Sequence, residues 1–252
     1  MPYAILQTDL TPPSLDQLKR AFRTVKFLTE VDAHTLGNDA FGILVKNLDA
    51  DRAAALQSAL RAEGVETEIA DQRALPEMPA TKFVARLDCL PDGLLIYDPL
   101  GRSFRLEWGH LLMIAAGNVR LTDFARVEKT RYETRYDWGH PSVEQVTDVS
   151  TKEEQNQHLV LELILTRAVA RYSVTADKFN FAYLGPRRTK NLPENFALLV
   201  RDLIQFAPQA ALNRGAFHLR ENTGAPFTYP SKNAFFEEII WLLRRMQLAP
   251  GR

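Results

Sequence analysis

The chain has 252 residues, of which 46% are apolar and 25% are charged, the balance of an ordinary folded globular protein. Thirty-one Lys and Arg residues cancel thirty-one Asp and Glu residues, so the bulk charge gives no indication of binding to nucleic acid or to an anionic membrane. A single cysteine, Cys89, excludes an intramolecular disulfide and a zinc site made of several cysteines.

The first 75 residues alternate between strand and helix patterns. Apolar runs predict strands near residues 3–7, 41–46 and 65–70. Helical spacing of apolar residues predicts two helices between them, and three residues mark their ends: Ser14 and Asp49 as N-caps and Gly64 after the second helix. The pattern predicts a small ferredoxin-like βαβαβ domain over residues 1–75.

The pattern changes after a proline-containing linker at residues 76–81. Alternating and apolar runs predict an antiparallel sheet, with strands near residues 83–89, 94–97, 103–108, 159–165, 170–174 and 179–184. The polar segment 141–157 is predicted to be a solvated loop. A helix capped by Asn191 should cover the sheet, and a further buried helix is predicted near residues 233–246. We therefore expect an α+β protein whose second domain spans residues 82–252.

The order of these elements resembles that of pleckstrin-homology-like domains, in which antiparallel strands are followed by a helix that covers them. The resemblance spans roughly residues 80–207 and depends on element order alone, so no binding residue is transferred from that family. The predicted C-terminal helix lies beyond it.

A basic loop precedes the helix that Asn191 caps. Arg187, Arg188 and Lys190 place three cations beside the first turn of that helix, where unpaired backbone N–H groups and the helix dipole attract anions. The loop therefore predicts a binding site for a small anionic ligand or an acidic segment of a protein partner, formed by these three residues and Asn191. A solvated basic turn is the simpler interpretation.

Two copies of a Trp-Gly-His tripeptide offer an alternative, a metal-dependent hydrolase. Each copy follows an acidic residue, so the possible ligands are Glu107, His110, Asp137 and His140. Thirty residues separate the copies, whereas metal-binding motifs usually place two ligands close together on one element. Packing of the tryptophans explains the tripeptides equally well.

Three aromatic residues at alternating positions, Phe179, Phe181 and Tyr183, suggest a second alternative, single-stranded nucleic-acid binding by base stacking. Burial of these rings in the core is the competing interpretation, because aromatic residues on one face of a strand usually pack inside a protein. The neutral overall charge also makes a nucleic-acid partner the weaker expectation.

The sequence contains no assembled catalytic motif, such as Gly-x-Ser-x-Gly or a phosphate-binding glycine loop. The leading hypothesis is thus a non-enzymatic binding or scaffold protein that needs no cofactor. The first residues lack a secretory pattern and no apolar stretch is long enough to span a membrane, so we expect a cytoplasmic location.

Overall fold

The computed structural model describes residues 1–39, 41–137, 140–166, 170–221 and 226–248. Within these ranges only the backbone is described for residues 38–39, 123–130, 132–137, 140–147, 149–154 and 248. The chain is a mixed α+β protein, as the sequence predicts. It divides into two compact units, of which the first contains Met1–Val119 and His158–Arg252 and the second contains Arg120–Gln157.

The first three strands form a small antiparallel sheet. The elements are β1 (Tyr3–Gln7), α1 (Leu15–Val25), α2 (Glu30–Asp39), β2 (Ile43–Leu48), α3 (Ala50–Ala62) and β3 (Thr67–Asp71). The strand order is β2-β1-β3, and both pairs are antiparallel. The sequence pattern missed α2. Because two helices rather than one connect β1 to β2, the chain returns to the end of the sheet where β1 finishes, so the two strands pair antiparallel. The ferredoxin-like arrangement is not confirmed.

The predicted helix ends of this region are confirmed. Ser14 and Gln17 form a reciprocal capping box at α1, and the Asp49 carboxylate accepts a hydrogen bond from the N–H of Arg52 at 2.8 Å. Gly64 follows α3 with a φ of 74°, which is the left-handed conformation expected after a helix. These local signals depend on short-range hydrogen bonds, which the sequence specifies without help from the rest of the fold.

Among the described residues, nine further strands and three further helices lie from Thr81 onward. They are β4 (Thr81–Phe83), β5 (Arg86–Leu90), β6 (Gly93–Tyr97), β7 (Ser103–Leu106), β8 (Leu111–Asp137), β9 (His140–Leu165), β10 (Arg171–Thr175), α4 (Leu192–Phe206), β11 (Ala211–Leu212), α5 (Arg214–Arg220), β12 (Thr228–Tyr229) and α6 (Lys232–Leu248). The long strands β8 and β9 continue into the second compact unit. There the Nε atom of Arg131 lies 3.4 Å from the Oδ2 atom of Asp148.

The predicted solvated loop at residues 141–157 is wrong, because these residues belong to β9. The segment has few apolar residues, and low hydrophobicity was the reason for predicting a loop. Strand formation here depends on pairing with β8, whose backbone supplies the neighbouring strand.

The predicted strand at residues 179–184 is also wrong. Short 3₁₀ segments at Ala176–Lys178 and Ala182–Arg187 flank or contain these residues.

The larger part of the first compact unit contains two sheets around one apolar core. One sheet has the order β11-β8-β9-β10-β4, with β12 also beside β8, and the other has the order β5-β6-β7. The three-stranded sheet is antiparallel, as predicted. The strands β4, β11 and β12 instead pair in parallel, and the pleckstrin-homology-like topology is not confirmed. Helix α4 buries Phe196, Leu199 and Leu203 in the core, as its apolar stripe predicts.

Helix α6 links the two halves of the first compact unit, which are the residues before and the residues after the predicted 76–81 linker. Trp241 is 1% exposed and packs on the face of the first sheet that α1 and α3 leave uncovered. Its indole N–H donates to the backbone oxygen of Gln7 at 2.9 Å. The residues on both sides of the predicted 76–81 linker therefore belong to one compact unit.

A buried hydrogen-bond network fixes the other side of α6. The Glu238 carboxylate is completely buried and accepts hydrogen bonds from the Tyr229 hydroxyl at 2.9 Å and from the backbone N–H of Arg214 at 2.7 Å. Asn213 caps α5 through its side-chain oxygen and donates to the Tyr229 hydroxyl at 2.9 Å. Because buried polar groups are costly unless paired, the network specifies how β12, α5 and α6 fit together.

Candidate binding groove

Three large apolar side chains are exposed together at the edges of the two sheets. Phe83 of β4 is 63% exposed, Leu100 in the turn between β6 and β7 is 79% exposed, and Phe104 of β7 is 41% exposed. All three line a single groove of about 430 Å³. Contiguous exposed apolar surface of this kind is uncommon in proteins and marks binding sites.

The floor of the groove comes from both sheets. Ile96 of β6 is buried in the core and pairs with Phe104, so the two side chains lie on the same face of the three-stranded sheet. Tyr172 of β10 contributes from the six-stranded sheet. We call this surface the β4–β7 groove; it is lined by Lys82, Phe83, Ile96, Asp98, Pro99, Leu100, Arg102, Phe104 and Tyr172.

Open strand edges border the groove. Among the described residues, β4 is the last strand of the six-stranded sheet and β7 is the last strand of the three-stranded sheet. An edge strand presents backbone N–H and C=O groups that can pair with another extended chain. The β4–β7 groove therefore combines apolar side chains with backbone groups suited to strand addition.

The rim of the groove is positively charged. Asp98 accepts hydrogen bonds from the Nε of Arg102 at 2.7 Å and from the backbone N–H groups of Leu100 and Arg102 at 2.9 Å each. Burial alone raises the pKa of Asp98, but these bonds outweigh burial and lower the pKa below its ordinary value. Asp98 thus neutralises Arg102. The Lys82 ammonium, 5.7 Å from the centre of the Tyr172 ring, has no carboxylate partner among the described residues.

The predicted basic loop is held partly by structural contacts. Arg187 makes two hydrogen bonds to Asp202 of α4, at 2.9 and 2.7 Å, and the Tyr183 hydroxyl donates to the same carboxylate at 3.2 Å. The side-chain oxygen of Asn191 accepts the N–H of Glu194, which is the predicted cap. Arg187 and Asn191 therefore have structural partners, which the sequence could not reveal for Arg187 because Asp202 lies fifteen residues away.

Arg188 and Lys190 are exposed, as Arg187 is, but among the described residues no salt bridge involves these two. The anion-binding site stays a prediction that depends chiefly on these two side chains. The first turn of α4 is already occupied in part by Asn191, because its side chain takes one of the N–H groups that an anion would bind.

The possible metal ligands of the two Trp-Gly-His copies belong to different compact units. His110 is exposed at the end of a 3₁₀ segment in the first unit, beside exposed Glu107. Asp137 and His140 belong to the second unit, and their side chains lie outside the described residues. The described residues contain no cluster of three or more metal-binding side chains. The metal-dependent hydrolase therefore stays a hypothesis with no described geometry to support it.

Trp108 has the packing role that the sequence offered as an alternative. Its ring stacks on Phe206 of α4 at a centroid distance of 5.0 Å, and its N–H donates to the backbone oxygen of Leu90 at 2.9 Å. These contacts join the start of β8 to α4 and β5. Packing is thus sufficient to explain the first tripeptide.

Two of the three aromatic residues proposed as a stacking platform lie inside the core, and the third, Tyr183, is partly buried against it. Phe179 is 7% exposed, Phe181 is 2% exposed, and their rings meet edge to face at 4.8 Å. Bases cannot stack on rings that are covered on both faces. Burial in the core, the competing interpretation, is confirmed for these two residues.

Cys89 is a poor nucleophile in its surroundings. Burial is the main cause that raises the pKa of its thiol to about 12, and the nearby carboxylate of Asp202 adds to the effect. Because the thiolate is the reactive form, a raised pKa keeps this cysteine protonated at neutral pH. Cys89 packs against the apolar core and serves as a structural residue.

Comparisons with protein-family models, with curated proteins and with solved structures find no match to this chain. Within the part of the chain that the structure describes, every helix is too short or too polar to cross a membrane.

Proposed function

We propose that this chain is a non-enzymatic binding protein that captures an extended, apolar segment of a partner protein in the β4–β7 groove. The observation that carries the proposal is the grouping of Phe83, Leu100 and Phe104 at open strand edges, where each leaves more than a third of its surface in contact with water. A protein keeps such surface exposed at a cost in solubility, and binding is the usual reason.

The chemistry of the partner follows from the lining. An extended chain that pairs with β4 or β7 points alternate side chains toward the groove, so apolar residues at every second position should fill it. Two cations and one carboxylate line the rim, and the carboxylate is held by Arg102. An acidic residue in the segment could therefore approach Lys82, because Lys82 has no carboxylate partner among the described residues.

The proposed partner is a protein, as the sequence also suggested, but the binding element is the groove rather than the basic loop. The groove is favoured because apolar burial supplies most of the free energy of association, whereas exposed charges chiefly affect association rate and specificity. Charge reversal at Arg188 and Lys190 tests the basic loop independently of the groove.

Selection from a library of random peptides, displayed on phage and presented to the immobilised full chain, tests the proposal. We expect enrichment of peptides with alternating apolar residues and at least one acidic residue. The same selection against Leu100→Ser should lose these peptides, whereas Leu10→Ser serves as a matched control, because Leu10 is 66% exposed and lies outside the groove. Equal enrichment on both variants would place binding elsewhere.

The affinity of a selected peptide provides the quantitative check. Burying Leu100 should contribute about 1.5–3 kcal/mol, so Leu100→Ser should weaken binding about tenfold or more. Enrichment of purely basic or purely polar peptides would contradict the groove as the binding element.

A further inference from the structure

Strand β7 presents the backbone groups of alternate residues to the open edge of the three-stranded sheet. The N–H of Asp98 donates to the backbone oxygen of Arg102 at 3.0 Å, so these two residues form a hydrogen-bonded pair across the β6–β7 hairpin. Such pairs alternate along an antiparallel ladder, and the register makes Phe104 a member of the next one. The N–H and C=O groups of Phe104 therefore face β6, whereas those of Ser103 and Arg105 face outward.

Strand β7 lacks the features that usually prevent an edge strand from pairing. It contains no proline and no lysine, and its register with β6 is regular over its whole length. Its one charged residue, Arg105, forms a salt bridge with Asp92, which neutralises it. The formal net charge of the chain is zero, so two copies do not repel each other at long range.

The sequence of β7 also has the alternation that the β4–β7 groove favours in a partner segment. Phe104 and Leu106 are apolar, and the residues before each of them, Ser103 and Arg105, are polar. Phe104 is 41% exposed and lines the groove. From these observations we infer that β7 of a second copy of this chain adds to β7 and joins two three-stranded sheets into one continuous sheet. The inference rests on the proposed function, because it takes the edge of the groove as a binding surface and names one occupant of it.

One antiparallel register uses both outward-facing residues of β7. Ser103 pairs with Arg105 of the second copy, the two-fold axis repeats this pair, and each pair exchanges both of its N–H···O bonds. Phe104 then lies opposite Phe104 of the second copy, in the type of pair whose side chains approach most closely. Pairing Arg105 with itself would oppose two like charges, and pairing Ser103 with itself would place Arg105 beside the β6–β7 turn.

The other edge of the groove remains for the partner segment. The backbone oxygen of Ala80 and the N–H of Val84 bond to β10, at 3.2 and 2.9 Å. Because alternate residues of a strand face the same neighbour, the backbone groups of Thr81 and Phe83 face outward. Self-pairing through β7 therefore assigns strand addition by the partner segment to β4.

Cross-linking tests the register. Opposite residues in a pair without hydrogen bonds have Cα atoms about 4.5 Å apart, within the range of a disulfide, whereas diagonal neighbours lie about 7–8 Å apart. Phe104→Cys should form a disulfide between two copies under mild oxidation. Ser103→Cys, which is diagonal to its own equivalent, should cross-link at least about tenfold more slowly. Cys89 does not compete, because burial raises the pKa of its thiol to about 12.

Sedimentation velocity of the full chain at increasing concentration measures the association itself. The contact is small, so we expect a dissociation constant on the order of tens of micromolar. Arg105→Pro removes an outward N–H and should abolish the dimer, whereas Arg105→Ala keeps that N–H and is the matched control. Proline is tolerated where the N–H of an edge strand faces solvent, and the Tm of each variant checks that it folds.

Two substitutions at Ser103 give opposite predictions from the same register. Ser103→Glu places a carboxylate opposite Arg105 of the second copy and should strengthen the dimer about threefold or more. Ser103→Lys opposes like charges and should weaken the dimer by a similar factor. Neither substitution removes a backbone group, so both remain informative if Arg105→Pro does not fold.

A chain that stays monomeric at about millimolar concentration would overturn the inference. Equal cross-linking of Phe104→Cys and Ser103→Cys, or equal effects of Ser103→Glu and Ser103→Lys, would also overturn it. Peptide selection separates this failure from that of the proposed function. A monomeric chain that still enriches apolar peptides contradicts only the dimer, whereas a dimer that enriches none contradicts only the capture of a partner segment.

Discussion

The Tyr229 hydroxyl donates a hydrogen bond of 2.9 Å to the carboxylate of Glu238, and both residues are completely buried. The same hydroxyl accepts hydrogen bonds from the side chain of Asn213 at 2.9 Å and from the backbone N–H of Gly215 at 3.3 Å. One phenol oxygen therefore connects β12, α5 and α6. Burial and the neighbouring carboxylate raise the pKa of Tyr229 well above its ordinary value, so it remains a donor at all ordinary pH values.

Tyr229→Phe should lower the free energy of unfolding by about 1–3 kcal/mol. The substitution leaves the Glu238 carboxylate and the Asn213 amide each short of a partner inside the protein, and unsatisfied buried groups carry that cost. Urea unfolding measures the change. Tyr3→Phe is the control, because the Tyr3 hydroxyl makes no hydrogen bond among the described residues, and an equal effect of both substitutions would contradict the role given to the network.

Gly42→Ala should destabilise the chain more than Gly64→Ala. Both glycines have positive φ, at 84° and 74°, so each alanine carries the left-handed strain of about 1–2 kcal/mol. A Cβ at Gly42 would lie 2.5 Å from the Cγ of Trp241, whereas nothing lies within 4 Å of a Cβ at Gly64. The clash with a buried indole adds about 1–3 kcal/mol.

Thermal unfolding of these two variants isolates the packing of α6 on the first sheet, because the strain is common to both. Similar Tm values would show that Trp241 does not hold this position, and the link between the two halves of the first compact unit would lose its main support.

Glu162 should make stability depend on pH. Its carboxylate is 2% exposed, accepts from Arg171 and Ser173 at 2.9 Å each, and leaves Oε2 without a partner. Burial raises the pKa of Glu162 above its ordinary value of 4.5 and outweighs the opposing effects of Arg171, Ser173 and Lys232. The folded state therefore holds this proton to a higher pH than the unfolded state does, and stability falls as pH rises from 4.5 through the raised pKa.

Comparison with Glu162→Gln checks this sign, because glutamine does not titrate. Urea unfolding between pH 4 and pH 8 should show the original chain losing stability relative to the variant as the pH increases. A constant difference between the two, or a relative gain by the original chain at higher pH, would contradict the account.

Arg187→Glu should lower the Tm, whereas the double variant Arg188→Glu, Lys190→Glu should not. Asp202 is mostly buried and relies on both N–H groups of Arg187, so charge reversal there leaves two carboxylates in contact, at a cost of about 1–3 kcal/mol. Arg188 and Lys190 are exposed, and surface charges of this kind contribute little. Equal Tm values for the two variants would show that Asp202 does not need Arg187.

Local signals in the sequence predicted the helix ends well. Ser14, Asp49 and Asn191 each cap a helix through a hydrogen bond to a residue three positions later, and Gly64 has the predicted left-handed conformation. These features depend only on neighbours along the chain. Helix α2 has a comparable local signal, which apolar spacing alone does not reveal, since Thr29 and Asp32 bond to each other at its start.

Features that depend on pairing between distant segments could not be predicted. The polar part of β9 is a strand because β8 lies beside it. Arg187 has a structural role because it binds the carboxylate of Asp202. The β4–β7 groove has the same origin. Phe83 and Phe104 resemble core residues in the sequence, and only the sheet topology shows that their strands are edges. Leu100, an apolar residue in a Pro-Leu-Gly turn, was the one local indication of the site.

Hydrogen–deuterium exchange of the full chain, with and without a peptide selected from the library, tests the groove most directly. If the peptide adds as a strand, backbone exchange should slow at β7 or β4 and remain unchanged at Arg188 and Lys190. Protection confined to the basic loop, or binding with no protection at either strand edge, would contradict the proposed function.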